Sequence, residues 1–337
     1  MDIRQQKLEN WLTNVLQQAD IRLTTASADA SFRRYFRVHL PKLHSEHQTL
    51  IAMDAPPLQE DCAPFVKVAN LFLAAGLNVP QIIAQDLEQG FLLLSDLGDD
   101  TYLSQLQPDN ASKLYGDATD ALIKLQLASK PNELPPYDEA LLTREMQLFA
   151  DWYVAKHLQL ELSREQQTVL SNTFAVLNQN ILSQAQVYVH RDYHSRNLMR
   201  TQGNNPGVLD FQDAVHGAIT YDLVSLLKDA YIGWEEEQII DWAVRYWQPA
   251  KKAGLPVPED FSEFYRDFEW MGAQRHIKVL GIFARLAYRD GKDGYLKDMP
   301  LVMMHLRKVC ERYVELRPMF RLLNQLENLK PQEGFTF

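Results

Sequence analysis

Between Val187 and Tyr221 the chain reads V-Y-V-H-R-D-Y-H-S-R-N-L-M-R-T-Q-G-N-N-P-G-V-L-D-F-Q-D-A-V-H-G-A-I-T-Y, and this stretch constrains the fold more than any other. Short apolar runs at 187–189 and 208–209 read as strand ends, with Pro206-Gly207 turning the chain between them. His190, Asp192 and Asn197 fall in the intervening turn-like segment, and Asp210 closes the second run. Two carboxylates and a carboxamide therefore stand at strand ends. The spacing H-x-D-x-x-x-x-N, followed by an apolar pair and Asp-Phe, suits phosphoryl transfer. One carboxylate takes the proton of an acceptor hydroxyl, while a carboxamide and a second carboxylate hold Mg²⁺ on nucleotide phosphates.

The remainder of the chain changes texture near residue 98. Apolar residues at three- and four-residue intervals predict an amphipathic helix over 3–18. Short β-like pieces follow between Ile21 and Met53, a helix over 64–75 is stopped by Gly76, and Q-I-I-A-Q-D and G-F-L-L-L-S-D read as two more strands. Beyond Gly98 the periodicity is helical over 111–128, 138–158, 163–184, 221–231, 235–248, 262–289 and 299–325. The expected class is α+β, a two-lobed protein-kinase-like fold with a small antiparallel β lobe over 1–95, holding nucleotide, and a larger mostly helical lobe over 96–337, holding the catalytic loop and acceptor site.

Composition narrows the function by exclusion. Of 337 residues, 34 are Lys or Arg and 44 are Asp or Glu, a net charge of −10 that argues against a general nucleic-acid binder. Two cysteines far apart, Cys62 and Cys310, suggest neither a disulfide framework nor a zinc site. The N-terminal residues carry no signal-like apolar core and no run approaches a membrane span, so a cytoplasmic location without membrane partners is expected.

H-R-D-Y-H-S-R-N, V-L-D-F-Q-D and the following G-A-I-T-Y-D-L-V-S-L resemble the aminoglycoside phosphotransferase and choline kinase group of small-molecule kinases. The strings A-S-F-R-R-Y-F-R at 30–37, M-D-A-P-P at 53–57 and Q-R-H-I-K-V-L-G-I-F-A-R-L-A-Y-R-D-G-K at 274–292 resemble, more narrowly, bacterial kinases that act on the anomeric hydroxyl of N-acetylated amino sugars. The resemblance implies ATP and Mg²⁺ as cofactors and a small amino-sugar substrate. It makes Asp192 the catalytic base, Asn197 and Asp210 the metal ligands, and His190 and Asp222 structural braces of the loop. Nucleotide would meet backbone groups at Ser95, Asp96 and Leu97, and His194 would order the loop or touch phosphate.

One feature departs from the kinase pattern. The third strand ends in Met53 where a phosphate-binding Lys is expected, and the hairpin S-A-D-A-S-F-R-R-Y-F-R at 27–37 has no glycine-rich loop. Arg33 and Arg34 lie in that segment and are candidates to neutralise phosphate charge. The absence of an A-P-E end after Asp210 argues against a protein acceptor. On a helical projection of 262–289, Arg275, Lys278, Arg285 and Arg289 share one face. If that stripe lines the site, it favours an anionic sugar, with Arg275 as first contact and Gln274 and His276 as hydrogen-bonding partners. Two alternatives stay open at this point: another acceptor of the same fold (an aminoglycoside, a choline-like alcohol or homoserine), and a nucleotide-binding regulatory pseudokinase.

Overall fold

A computed structural model describes residues 2–28, 32–40 and 49–328. In chain order its elements begin with α1 (Ile3–Leu16), β1 (Arg22–Ala28), β2 (Arg34–His39), β3 (Thr49–Asp54), α2 (Ala63–Ala74), β4 (Ile82–Asp86), β5 (Phe91–Ser95) and α3 (Tyr102–Gln105). Then come α4 (Ala111–Leu127), α5 (Glu139–Leu148), a π-helical segment (Phe149–His157), α6 (Arg164–Ser183), β6 (Gln186–Val189), β7 (Leu198–Met199), β8 (Gly207–Val208), β9 (Val215–Ala218) and α7 (Tyr221–Leu227). The chain ends in α8 (Glu236–Lys252), α9 (Phe261–Asp290), a 3-10 turn (Asp293–Asp298), α10 (Met299–Arg312), a second 3-10 turn (Val314–Leu316) and α11 (Arg317–Leu326). This is the α+β composition that the periodicities predict.

The chain divides into two compact units, one made of Met1–Gln105 with Arg196–Asp213, the other of Leu106–Ser195 with Ala214–Phe337. In the first, five antiparallel strands take the order β1-β2-β3-β5-β4. Strand side chains alternate between faces, so Phe36, Val38, Leu50, Ala52, Phe91 and Leu93 share one face and bury it against Leu8 and Leu12 of α1. Asp54, fully buried at the end of β3, is neutralised by Arg4 at 2.6 Å and by Arg34. Arg34 also pairs with Asp2, whose side chain caps α1 by accepting the Arg4 N–H. Phe211, 0% exposed, stacks at 4.9 and 5.7 Å on Phe65 and Phe72 of α2, which ties the segment carrying Asp210 into this unit.

The second unit is organised around α9, whose residues from Phe268 to Gly281 are buried without interruption. A helix buried all round needs neighbours on every side, and α5, α6, α7, α10 and the π-helical segment supply them. The predicted helix over 138–158 gives way to π-helical geometry from Phe149 to His157. The one predicted over 299–325 breaks at Tyr313, because Pro318 at the start of α11 cannot continue an incoming helix.

Gly281 permits the closest approach in this unit. A Cβ there would lie 2.4 Å from the Leu148 carbonyl carbon and 2.6 Å from its oxygen, and backbone cannot step aside as a side chain can. Gly281→Ala is therefore expected to cost about 3 kcal/mol through overpacking. Urea denaturation of the variant measures it, and an unchanged midpoint would contradict the tight contact.

Candidate active site

The loop after β6 is held by two carboxylates. Asp222, in the first turn of α7, accepts the His190 N–H at 2.7 Å on one oxygen and the Arg191 N–H at 3.0 Å on the other. Arg191 has φ 79°, a left-handed backbone that a long side chain rarely adopts, and these two bonds help hold it there. Seven residues on, Asp229 accepts the Ser195 N–H at 3.0 Å and the Ser195 hydroxyl on one oxygen, and the Tyr231 N–H at 3.2 Å on the other. Between these fixed ends, the Asp192 N–H donates to His190 Nδ1 at 3.2 Å, and the Tyr193 hydroxyl donates to the Ala118 carbonyl of α4 at 2.8 Å. His190 is fully buried and braces the turn.

Asp192, displayed by this turn, keeps 42% of its side chain exposed. Its neighbours are buried cations. Arg275 Nη2 is 3.8 Å from the carboxylate, while Arg275 Nη1 donates to the Arg191 carbonyl at 2.7 Å and to the Tyr221 hydroxyl at 3.1 Å. Lys278 meets Glu145 at 3.1 Å and the Tyr221 hydroxyl at 3.0 Å. Glu145 also receives Arg191 and the Tyr137 hydroxyl. Burial would raise the Asp192 carboxyl, but Lys278, Arg275, His194 and Arg191 outweigh it and hold the group well below the usual carboxylate range. Asp192 is thus an ionised acceptor throughout the neutral range, suited to orienting a hydroxyl more than to stripping it unaided.

In the first unit, β7 and β8 form a hairpin, and the Leu209 N–H donating to the Asn197 carbonyl at 2.9 Å brings Asn197 and Asp210 together at its open end. Asn197 Nδ2 lies 3.3 Å from one Asp210 oxygen, and Gln212 Nε2 donates to the other at 2.8 Å. Asp210 has φ 61°, so the carboxylate is aimed by a left-handed residue. A carboxamide oxygen beside a carboxylate is a hard-oxygen pair, which fits Mg²⁺ shared with substrate phosphates and is too small for a self-sufficient metal cage.

The other predicted site residues separate. Ser95 closes β5 through its hydroxyl, which accepts the Gln81 N–H at 2.8 Å, and Asp96 is held by Arg37 at 2.6 Å and by the Gly98 N–H at 2.9 Å. Leu97 packs on Gly207, where a Cβ would come within 2.9 Å of it. Arg33 pairs with Glu60 at 3.0 Å. Arg34 is corrected as a phosphate ligand: it shares the α1 face with Phe36, lies over that ring, and is engaged by Asp54 and Asp2. In the hairpin over 27–37, residues 29–31 lie outside the described residues.

The basic stripe on α9 also divides. Arg275 and Lys278 are buried in the charge cluster, while Arg289 pairs with Asp290 at the exposed end. Gln274 and His276 both lie in the interior rather than on an exposed face of α9. Gln274 is fully buried, and His276 bonds the Lys228 carbonyl at 3.2 Å and stacks on His305 at 5.2 Å in the interior. Sequence reasoning missed Glu145, Ser195 and Asp229. Only Asp229 left a sign, an acidic residue two turns beyond Asp222, and that sign has no motif to name it.

Burial pushes the Asp222 carboxyl up to about 7, against its two N–H donors and Arg275 and with help from Asp192. A raised native pKa means that the folded protein holds a proton which the unfolded chain releases near pH 4. The contribution is complete below that pH and is lost as pH rises through 7. Stability to urea should therefore fall from about pH 4 to about pH 7 and level off above that, and Asp222→Asn should flatten that slope whatever it does to the absolute value. An unaltered slope in the variant would contradict the assignment.

Comparison with known proteins now has geometry to meet. The family model of the phosphotransferase enzyme family, APH, matches residues 22–261. The chain is 50% identical over 339 residues, covering 99% of both chains, to a protein of Neisseria meningitidis serogroup B named N-acetylmuramate/N-acetylglucosamine kinase. It is 48% identical to one of the same name from Pseudomonas aeruginosa, covering 96% of this chain and 97% of the relative. Among solved structures, a choline kinase from Cryptosporidium parvum superposes with a TM-score of 0.64 at 12% identity, covering 95% of this chain and 100% of that one. A gentamicin complex of the aminoglycoside phosphotransferase APH(2")-IIa gives 0.59 at 13%, covering 95% and 98%. These two share the fold, with its antiparallel sheet and helical unit. The family match takes in H-x-D-x-x-x-x-N and the Asp-Phe that follows, the residues that the two carboxylate clamps and the short hairpin present, and the chain belongs to the phosphotransferase enzyme family.

Proposed function

We propose that this phosphotransferase is an ATP- and Mg²⁺-dependent kinase for the anomeric hydroxyl of N-acetylmuramate and N-acetylglucosamine. The observation that carries the substrate is 50% identity along 99% of both chains with a kinase named for these two sugars. Asp192 accepts the hydrogen bond of the acceptor hydroxyl and takes its proton as the sugar oxygen attacks. The new bond joins that oxygen to the γ-phosphorus, the bond from γ-phosphorus to the β-phosphate oxygen breaks, and ADP leaves with the electron pair. An anomeric hydroxyl shares its carbon with the ring oxygen, which withdraws electron density and makes it more acidic than an ordinary alcohol. A weakly basic carboxylate such as Asp192 suits it.

Asn197 and Asp210 would hold Mg²⁺, which when bound neutralises charge on the nucleotide phosphates. The backbone at Ser95, Asp96 and Leu97 would receive the nucleotide base. Met53 is fully buried on β3 and offers no charge, so the Arg33 guanidinium, braced by Glu60 as the phosphate-binding Lys is braced by Glu in kinases, is our choice for the missing cation. His194 and Arg275 order the loop rather than bind phosphate or sugar. Asp222 and His190 keep the turn in shape.

An acceptor panel of N-acetylmuramate, N-acetylglucosamine, aminoglycosides, choline and homoserine, read by ADP release and by phosphorus NMR of the product, tests the substrate. Turnover is expected with the two amino sugars and phosphate is expected at C1; failure with both sinks the reading. Asp192→Asn should lower kcat by about 10²- to 10⁴-fold with little change in thermal midpoint, because it removes proton acceptance and leaves the shape. Asp210→Asn should raise the Mg²⁺ concentration needed for half-maximal rate, and an unchanged requirement would remove it as a ligand.

A further inference from the structure

Aromatic rings follow one another from the catalytic loop outward within the second unit. The His194 ring, two residues past Asp192, meets Tyr231 edge-on at 5.4 Å and 76°. Tyr231 lies 6.0 Å from Phe283 of α9 at 32°, and Phe283 lies 5.1 Å from Tyr295 of the 3-10 turn at 41°. Phe283 is buried and forms the floor, whereas His194, Tyr231 and Tyr295 keep part of their surface exposed.

The row is also registered to the base. One Asp229 carboxylate holds Ser195 of the loop on one oxygen and the Tyr231 N–H on the other. Three residues separate Ser195 from Asp192, and the intervening Tyr193 is anchored on α4. The Tyr231 backbone and the loop that carries Asp192 are therefore joined through one carboxylate, which puts the row and the loop in one framework.

We infer that Tyr231 and Tyr295, floored by Phe283, are the platform for the acceptor's pyranose ring, with Tyr231 as its main contact, Tyr295 extending it and His194 bracing Tyr231 from the loop, an inference that rests on the sugar-kinase reading above. The C–H face of a pyranose is polarised positive by the ring and hydroxyl oxygens, and the face of a tyrosine ring is negative, so the two attract beyond the apolar area they bury. The nearby cations are committed elsewhere: Arg275 to Arg191 and Tyr221, Lys278 to Glu145 and Tyr221. N-acetylglucosamine is neutral and N-acetylmuramate carries an added acidic ether, yet both present the same ring face. A platform that reads the ring and ignores the acid accepts both.

Steady-state kinetics of the full chain test this, varying each sugar at saturating ATP and then ATP at saturating sugar. Tyr231→Ala should raise KM for both sugars about tenfold while KM for ATP moves less than about twofold, and Tyr231→Phe, which keeps the ring, should restore both. Tyr295→Ala should shift KM for the sugars in the same direction by a smaller factor, which decides the matter if Tyr231→Ala does not fold. Sugar KM values unchanged in the alanine variants that fold, with the wild type active on either sugar, overturn the platform alone. A wild type inactive on both sugars overturns the sugar-kinase reading and the platform together.

Discussion

The catalytic loop depends on backbone N–H groups that no strand or helix satisfies. Between His190 and Ser195 the chain leaves one strand without entering another, and a buried N–H with no partner costs as much as a lost hydrogen bond. Two carboxylates answer this need, Asp222 at one end and Asp229 at the other, and both come from the segment that α7 begins. The same bonds keep Arg191 in a left-handed conformation that turns Asp192 toward solvent. Geometry at the Asp192 carboxylate is thus set from behind, by the segment that carries Asp222 and Asp229.

Charge around that carboxylate follows a second logic. Arg191, Arg275 and Lys278 are mostly buried, and cations taken from water need partners. Glu145, the Tyr221 hydroxyl and the Arg191 carbonyl supply them. Asp192 borders this cluster while remaining partly exposed, so it is acidified by cations that are themselves satisfied.

What was legible in the sequence was local. The spacing from His190 to Asp210 placed the loop and the hairpin, period-two alternation in β2, β3 and β5 placed the sheet, and the amphipathic repeat of α1 placed its cover. Helical projection put Arg275 and Lys278 on one face of α9 correctly, but a projection gives direction and not burial. Glu145, the partner of Lys278, lies well over a hundred residues earlier, and no spacing rule links the two. Burial of Gln274 and His276 escaped the projection for the same reason, since α9 is enclosed from Phe268 to Gly281. The break at Tyr313 is marked in the sequence by Pro318, while apolar periodicity continues across it. Asp229 stayed invisible because its role is defined by the backbone N–H groups that it meets, which carry no residue identity.

The return of residues 196–213 to the first unit bears on how the chain is made. Phe65 and Phe72 of α2 pack on Phe211, and β7 and β8 bridge to Thr101 and Asn78, so the first unit is completed by a segment translated some ninety residues after residue 105. Domains commonly fold from the N-terminus as they emerge from the ribosome. Here an emerging chain that stops short of residue 196 exposes two phenylalanines whose cover has not yet been synthesised. The residues that finish the first unit include Asn197 and Asp210, so completing its core and assembling the proposed metal site are one event on the ribosome.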